Sequence, residues 1–311
     1  MAADSSDRAA ATIVDADGRA ALSLTAGATE FTVVPGAGLL GTSLRVDGRE
    51  FLSLHGGVDA ALAGHTTGMP LLAPWANRLS DTWRVGRQAV DLHGHDLHRD
   101  ATGLALHGTM IGRYGWEVVS VRTRPGAAVA SFRFDVAACE PVMASFPFPH
   151  ELLVGFGVTP GRLVVTATLV ATGRRAVPVS FGWHPYFVVP GARRDRMTLR
   201  LPARRRLVVD ERRLPTGEEV VEPAGRVRLD RSFDDGFRLG RDRHLTLSAG
   251  RRRLSVILDR NYPYAQVYTP PDSESVALEP MTAATDALAR GTTPMVAPGE
   301  RFTARFSVLP T

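Results

Sequence analysis

Hydrophobic and polar residues alternate along many short segments of this chain. Between residues 302 and 309, the hydrophobic Phe302, Ala304, Phe306 and Val308 are separated by single polar residues. A period of two predicts a strand with one buried face and one exposed face. The same pattern predicts further strands at residues 116–122, 131–136, 152–158, 163–170, 197–201, 245–247 and 254–258.

Turn-forming sequences separate these runs, and helical patterns are scarce. Thr159-Pro-Gly and Ala171-Thr-Gly are typical of tight turns. Residues 282–290, with Gly291 as a C-terminal stop, are the best candidate for a helix, of about two turns. Because parallel strands need long helical crossovers, the pattern predicts an all-β fold, a large antiparallel β-sandwich with few short helices.

Composition is that of an ordinary globular protein. With 311 residues, 44% of them hydrophobic, the chain can bury a sizeable core, and all-β domains often exceed about 200 residues. We expect residues 1–8, which are small and polar, to be disordered and residues 9–311 to form a single domain. No signal peptide or membrane-spanning stretch is recognisable, so we expect a cytoplasmic protein without a membrane partner.

Charge and cysteine content exclude several classes of function. The net charge is +5, but all 37 basic residues are arginine and they are interleaved with acids. No basic helix or aromatic–basic motif is present, so we expect no nucleic-acid partner. Cys139 is the only cysteine, which excludes an intramolecular disulfide and a cysteine-based zinc site.

Polar residues interrupt the strand pattern at three places: Asn77 and Arg78 with the more distant His107, then His184, then Glu279. His184 lies among aromatic residues, and a histidine can act as acid or base near neutral pH. Glu279 ends an apolar run, where a carboxylate is costly to bury unless it is partnered or reactive.

Structural roles explain the same residues more often than catalytic roles do when each residue is considered alone. A histidine among aromatic rings, such as His184, is also typical of a hydrogen-bonded core position, and Glu279 could pair an arginine at a strand end. Asn77 and Arg78 could bridge two loops, and His107 could shape a turn. Residue types alone leave both explanations open.

Taken together, the motifs resemble those of the aldose 1-epimerase (galactose mutarotase) family, in its bacterial epimerase-like branch. The resemblance implies a galactose mutarotase-like β-sandwich. It runs in order from about residue 22 to residue 309, through Pro74-Trp-Ala-Asn-Arg-Leu, Leu106-His-Gly, His184-Pro-Tyr-Phe, Leu214-Pro-Thr-Gly-Glu, Phe233-Asp-Asp-Gly-Phe, Gln266-Val-Tyr-Thr-Pro and Leu278-Glu-Pro-Met-Thr.

The resemblance also implies an activity. It implies an isomerase that interconverts the α and β anomers of a free hexose such as galactose or glucose, by opening and reclosing the sugar ring. Such a protein needs no cofactor and no metal, and its partner is a small sugar; we expect a monomer or a homodimer. The alternatives are a hexose-6-phosphate 1-epimerase and a non-catalytic carbohydrate-binding or sensor protein on the same fold.

The matching positions receive roles by the same resemblance. Glu279 is implied as the general base and His184 as the general acid. The implied substrate-binding residues, which hold the hydroxyl groups and the ring oxygen of the sugar, are Arg78, His107 and Asp234, with Asn77 beside Arg78.

Two positions depart from the family pattern. Many relatives have Asp-His where this chain has Asp234-Asp235, so either aspartate could contact the sugar. Alignment on the Gly-Phe that follows, and strand alternation after Phe233, both favour Asp234. Thr109 replaces a glycine that often follows His-Gly in relatives.

Two other functions fit the sequence less well. His93, His95 and His98 fall in one short stretch and could offer metal ligands, but the corresponding region of relatives is a variable loop. A glycosidase would need two carboxylates beside the scissile bond, and that role would leave the His-Pro-Tyr-Phe motif unexplained.

Overall fold

A computed structural model describes residues 8–311, and almost all of its regular structure is strand. Residues 1–7 of the segment expected to be disordered lie outside the described residues. The strands of the first half of the chain are β1 (Ala9–Ala16), β2 (Arg19–Ala26), β3 (Thr29–Val34), β4 (Leu40–Val46), β5 (Arg49–Glu50), β6 (Leu71–Leu72), β7 (Arg78–Leu79), β8 (Thr82–Val85), β9 (Gln88–Asp91), β10 (Ala105–Leu106), β11 (Glu117–Arg124), β12 (Ala127–Asp135), β13 (His150–Thr159) and β14 (Arg162–Ala171).

The second half of the chain continues in the same way, without helical crossovers. Its strands are β15 (Val177–Pro178), β16 (Gly182–Trp183), β17 (Tyr186–Phe187), β18 (Thr198–Leu201), β19 (Arg204–Val209), β20 (Pro215–Glu222), β21 (Gly225–Arg228), β22 (Asp234–Leu239), β23 (His244–Ala249), β24 (Arg252–Arg260), β25 (Tyr264–Tyr268), β26 (Val276–Met281), β27 (Met295–Val296) and β28 (Arg301–Pro310).

A nine-stranded antiparallel sheet forms the centre of the fold. Its order is β11-β12-β13-β14-β28-β24-β23-β18-β21, and it contains every strand that the alternating pattern predicts. In β28 the predicted face is buried at Ala304, Phe306 and Val308, whereas Arg305 is exposed. The all-β antiparallel fold is therefore confirmed.

Two further large sheets contribute to the core. A five-stranded sheet, β1 to β5, packs against the nine-stranded sheet, with the rings of Phe31 and Phe156 5.0 Å apart. An eight-stranded sheet contains the path β20-β19-β22-β25-β26-β16-β6, and β17 also pairs with β26. Trp183 of this sheet packs against Phe156 and Phe306, at ring distances of 5.9 and 6.1 Å.

The predicted helix at residues 282–290 is wrong. Those residues form turns, because Asp286 has a φ of 62°, which a right-handed helix cannot contain. The backbone N–H of Asp286 donates to Arg78, and its carboxylate accepts from the N–H of Ser80, so contacts distant in sequence stabilise the turn.

The two short helices that do form had no predicted counterpart. They are α1 (Gly57–Leu62) and α2 (Glu140–Ser145), of six residues each. Short 3-10 turns occur at Pro35–Ala37 and Arg194–Arg196. Across residues 8–311, none of the helices has the length and apolar character needed to span a membrane.

Candidate active site

Strands β22, β25 and β26 present apolar side chains on one face and polar side chains on the other. In β26, Val276 and Leu278 join the hydrophobic core, so Glu279 between Leu278 and Pro280 points to the opposite face. In the neighbouring β25, Gln266 pairs in register with Glu279. Alternation alone therefore gathers polar residues on the face of the sheet that points away from the core.

His184 lies between β16 and β17, on the same side as Glu279. Its backbone N–H donates to the carbonyl of Pro70 at 3.1 Å. Its ring stacks on Tyr186 at 4.5 Å, and the preceding Trp183 is fixed in the core by a 3.1 Å hydrogen bond to the hydroxyl of Tyr262. The aromatic neighbours that made His184 resemble a core residue thus fix its ring at the surface of a cavity.

His184 and Glu279 form a buried acid–base pair. The Nε2 atom of His184 lies 3.3 Å from Oε1 of Glu279, and the two residues are only 3% and 1% exposed. Within residues 8–311, Nδ1 of His184 and Oε2 of Glu279 have no hydrogen-bond partner. Buried polar atoms are rarely left in this state, which is typical of a site that binds a ligand.

Burial shifts the proton affinity of both groups. Loss of solvent raises the pKa of Glu279 well above its usual value, and the nearby Asp234 adds to the shift while Arg78 opposes it. Burial lowers the pKa of His184 to about 3. An ionised carboxylate of raised pKa is a stronger base and a protonated imidazole of lowered pKa is a stronger acid, so both shifts suit proton transfer.

The first polar cluster is assembled by a short pairing of β7 with β10. Asn77 and His107 precede and follow these two-residue strands, with φ angles of 60° and 64°. The N–H of His107 donates to the carbonyl of Asn77 at 3.0 Å, which brings residues thirty positions apart together. Gly108 is required here, because a Cβ atom would lie 2.2 Å from the carbonyl oxygen of Ala73.

His107 extends the acid–base pair into a histidine cluster. Its ring lies edge-on to that of His184, with the centroids 5.2 Å apart. Burial lowers the pKa of His107 well below its usual value, and His184 and Arg78 act in the same direction. His107 is therefore uncharged near neutral pH and can donate or accept a hydrogen bond.

Arg78 and Asp234 face each other across the cavity wall. An Nη2 atom of Arg78 lies 3.8 Å from Oδ2 of Asp234, and Nε of Arg78 donates to Asp100 at 2.6 Å. Asp234 also accepts a 2.6 Å hydrogen bond from Nε2 of Gln266. The side chain of Gln266 has room because Gly236 lies opposite, where a Cβ atom would approach Oε1 to 2.9 Å.

The two adjacent aspartates lie on different faces of β22. Phe233 is buried in the core and Asp234 lines the cavity. Asp235 is half-buried, and burial raises its pKa while the charges of Arg206 and Arg231 oppose that shift. Asp235 does not line the cavity.

All six predicted site residues line one polar cavity. Its volume is about 180 Å³, far more than the roughly 10–15 Å³ that a single water needs. Its described lining consists of Asn77, Arg78, His107, His184, Asp234 and Glu279 together with Thr66, His98, Leu106, Tyr186, Gln266 and Tyr268.

Some lining residues escaped the sequence analysis. Tyr186, Gln266 and Tyr268 belong to the motifs quoted above, so strand alternation within those motifs could have revealed them. Thr66 and His98 lie in irregular segments outside the motifs; Thr66 gave no signal, and His98 stood out only as one of three clustered histidines.

Only one of the three clustered histidines lines the cavity. His98 lines the cavity, but His93 and His95 do not, and Nδ1 of His93 lies 2.6 Å from Asp91. Among the described side chains, no group of three or more His, Cys, Asp or Glu residues could hold a metal ion. Thr109, where relatives often have glycine, donates its N–H to Ala73 at 2.8 Å and does not line the cavity.

Solved structures share this architecture over their whole length. A galactose mutarotase-like protein from Clostridium acetobutylicum is 19% identical, with 99% of each chain covered and a TM-score of 0.86. A galactose 1-epimerase from Lactobacillus acidophilus is 16% identical, with 98% of each chain covered and a TM-score of 0.78. A GalM/aldose epimerase homologue from C. elegans is 15% identical, covers 98% of this chain and 99% of its own, and has a TM-score of 0.75. At such identities the likeness shows the fold, which is galactose mutarotase-like.

Sequence identifies the family independently of those structures. The family model described as Aldose 1-epimerase matches residues 22–309, nearly the whole chain. The match includes every strand that contributes a residue to the cavity, from β7 to β26. The chain therefore belongs to the aldose 1-epimerase family.

Proposed function

We propose that the protein is an aldose 1-epimerase that interconverts the α and β anomers of a free hexose such as galactose or glucose. Family membership supports an epimerase or mutarotase activity in general. The observation that carries the specific reaction is the buried pair of His184 and Glu279, 3.3 Å apart and lining a polar cavity.

The reaction needs one base and one acid that act on atoms bonded to the same carbon. The reactive state of the pair, an ionised Glu279 and a protonated His184, forms from the neutral pair when the proton of Glu279 passes to Nε2 of His184, 3.3 Å away. Glu279 then removes the proton of the C1 hydroxyl while His184 donates its proton to the ring oxygen. The bond between C1 and the ring oxygen breaks, and the hydroxyl oxygen becomes the carbonyl oxygen of an open-chain aldehyde. The 3.3 Å separation of the two side chains suits neighbouring sugar oxygens, and each proton transfer contributes roughly 10² to 10⁴ in rate.

Reclosure restores both catalytic groups. After rotation about the bond between C1 and C2, the ring oxygen attacks the opposite face of the aldehyde. His184 takes back the proton of that oxygen, and Glu279 returns its proton to the former carbonyl oxygen. All steps use side-chain protons alone, so the two residues end in their initial states.

The remaining polar residues hold the sugar in this position. Asn77, Arg78, His107 and Asp234 offer donors and acceptors around the cavity, as a molecule rich in hydroxyl groups requires. Asp234 is held from both sides, by Gln266 and by Arg78, so it presents its carboxylate to the cavity at little further entropic cost.

Charge in the cavity favours a free sugar over a phosphorylated one. Among the described residues that line it, Arg78 is the only arginine, and it already pairs with Asp100 and faces Asp234. A phosphate group needs unpaired cationic donors, preferably in bidentate geometry. A sugar phosphate would instead meet the carboxylates of Asp234 and Glu279.

The decisive experiment follows the optical rotation of freshly dissolved sugars. Purified protein should accelerate the mutarotation of α-glucose or α-galactose and have a much smaller effect on glucose 6-phosphate. Preference for the phosphorylated sugar would establish the hexose-6-phosphate epimerase instead. Binding of free sugar without any acceleration would establish a carbohydrate-binding or sensor protein.

A further inference from the structure

We propose that Asp100 is a positioning residue that fixes the guanidinium of Arg78 for sugar binding. Asp100 does not line the cavity and belongs to none of the motifs above. The expected effect on kinetics rests on the proposed function. The ion pair between Asp100 and Arg78 can be measured in the sugar-free protein.

The two oxygens of Asp100 serve two different partners. Oδ2 accepts a 2.6 Å hydrogen bond from Nε of Arg78. Oδ1 accepts from the N–H and the hydroxyl of Thr102, at 2.9 and 2.7 Å, and from the N–H of Leu104 at 3.1 Å. One carboxylate thus joins the guanidinium to the turn that leads into β10 and His107.

The surroundings of the pair favour its ionised form. The side chains of Asp100 and Arg78 are only 8% and 17% exposed, so water screens their attraction weakly. Burial alone would raise the pKa of Asp100, but hydrogen bonds from Thr102, Arg78 and Leu104 lower it overall. The carboxylate is therefore charged at neutral pH and holds the turn and Arg78 together.

The geometry at Arg78 explains why this contact matters for a ligand. Because Asp100 occupies the Nε side of the guanidinium, the two Nη groups point towards Asn77 and Asp234 at the cavity. Without Asp100, Arg78 has one strong partner fewer and can pair more closely with Asp234, which lies 3.8 Å away. The sugar would then lose donors from Arg78 and an acceptor from Asp234.

The test is an Asp100→Asn variant with two matched controls. The asparagine keeps the shape and one oxygen for the turn but loses the charge that holds Nε of Arg78. Thr102→Val removes only a turn hydrogen bond to the same carboxylate. Asp81→Asn removes the 2.6 Å ion pair between Asp81 and Arg99. Arg99 follows His98 in the same loop as Asp100, and neither Asp81 nor Arg99 lines the cavity.

The first measurement detects the hydrogen bond between Arg78 and Asp100 in the sugar-free protein. In NMR spectra, the Nε–H signal of Arg78, assigned by its loss in Arg78→Met, should exchange slowly with solvent in the wild type and in both controls. It should exchange at least tenfold faster in Asp100→Asn. Equal exchange in all four proteins would overturn the proposal, whatever the protein's activity.

The second measurement determines KM and kcat for the sugar. KM should rise about fivefold or more in Asp100→Asn, with kcat within about threefold of the wild type, because the contact acts on binding rather than on proton transfer. The controls should stay within about twofold. In the double variant Arg78→Met with Asp100→Asn, KM should equal that of Arg78→Met alone, because Asp100 acts through Arg78. Independent, multiplying effects, or equal losses in the controls, would show a merely structural role.

Discussion

His150 and His184 are both buried and uncharged near neutral pH, yet their surroundings differ. They are 1% and 3% exposed, and burial lowers their pKa values to about 4 and about 3. His150 begins β13 in the core, where its Nδ1 pairs with the carbonyl of Phe148 at 2.7 Å. His184 leaves Nδ1 without a partner in the described structure and faces Glu279. Burial and a lowered pKa are therefore common to both histidines, and what separates them is that, among the described residues, only His184 has a carboxylate partner and an adjoining cavity.

The two regions also differ in how completely their polar atoms are paired. His107, His184 and Glu279 each have an unpartnered buried atom in the described structure and line one cavity, and each buried polar group without a hydrogen bond costs about 1–3 kcal/mol. A sugar that entered the cavity would supply the missing partners. At His150 the backbone already supplies one, so no ligand is needed there.

The largest difference between the regions is expected in catalysis. Glu279→Gln and His184→Asn should each lower kcat for mutarotation by roughly 10² or more, because each removes a proton carrier. His150→Gln is the matched control and should keep kcat within about threefold of the wild type. Polarimetry on the three purified variants measures these rates, and circular dichroism checks that each is folded.

Near-normal kcat in both Glu279→Gln and His184→Asn would mean that the catalytic roles are misassigned. A large loss in His150→Gln without unfolding would show that the contrast between the two histidines is wrong.

The next largest effect concerns stability in acid, in which the two histidines should behave alike. The unfolded chain binds a proton at His150 near pH 6.5, but the folded chain does so only near pH 4. The stability that the neutral ring contributes is therefore complete above pH 6.5 and is lost as the pH falls towards 4, by about 3 kcal/mol. Urea unfolding at pH 7 and pH 4 should show a smaller loss of stability in His150→Gln than in the wild type.

His184→Asn should likewise show a smaller loss of stability between pH 7 and pH 4 than the wild type. Of the two variants, only His184→Asn is expected to lose activity as well. If His150→Gln kept the full acid sensitivity of the wild type, the folded pKa of His150 would have to be close to its normal value.

The smallest effect distinguishes two adjacent residues on opposite faces of β22. Asp234→Asn should raise KM several-fold with a smaller change in kcat, about 1–3 kcal/mol in total, because a carboxylate that accepts sugar hydroxyls stabilises ground and transition states alike. Asp235→Asn, which alters a side chain outside the cavity, is the control and should change KM little. Initial-rate kinetics over a range of sugar concentrations separates the two parameters, and a sensitive Asp235 with a silent Asp234 would reverse the assignment of faces.

Local pattern determined much of this protein. The alternation in residues 302–309 predicts β28, because side-chain direction in a strand depends only on the position along it. The motifs around His184 and Glu279 predicted the family, which the match over residues 22–309 confirms. The expected single domain and the roles of the site residues stay predictions.

Tertiary structure decided what local pattern could not. Residues 282–290 have a helical pattern, but the contacts of Asp286 with Arg78 and Ser80 impose a left-handed residue and a chain of turns. The contribution of Asp100 was equally hidden, because its partner Arg78 lies 22 positions earlier in the sequence and no periodicity links them.

The sequence by itself determined which residues could carry protons and which segments form the strands of the nine-stranded sheet, since both depend on residue type and on neighbours along the chain. Only the tertiary structure placed Nε2 of His184 3.3 Å from Oε1 of Glu279, left His150 in the core and paired Asp100 with Arg78. The physical reason is that solvent exclusion and hydrogen-bond partners depend on distances between atoms, and these are set by how the sheets pack and pair.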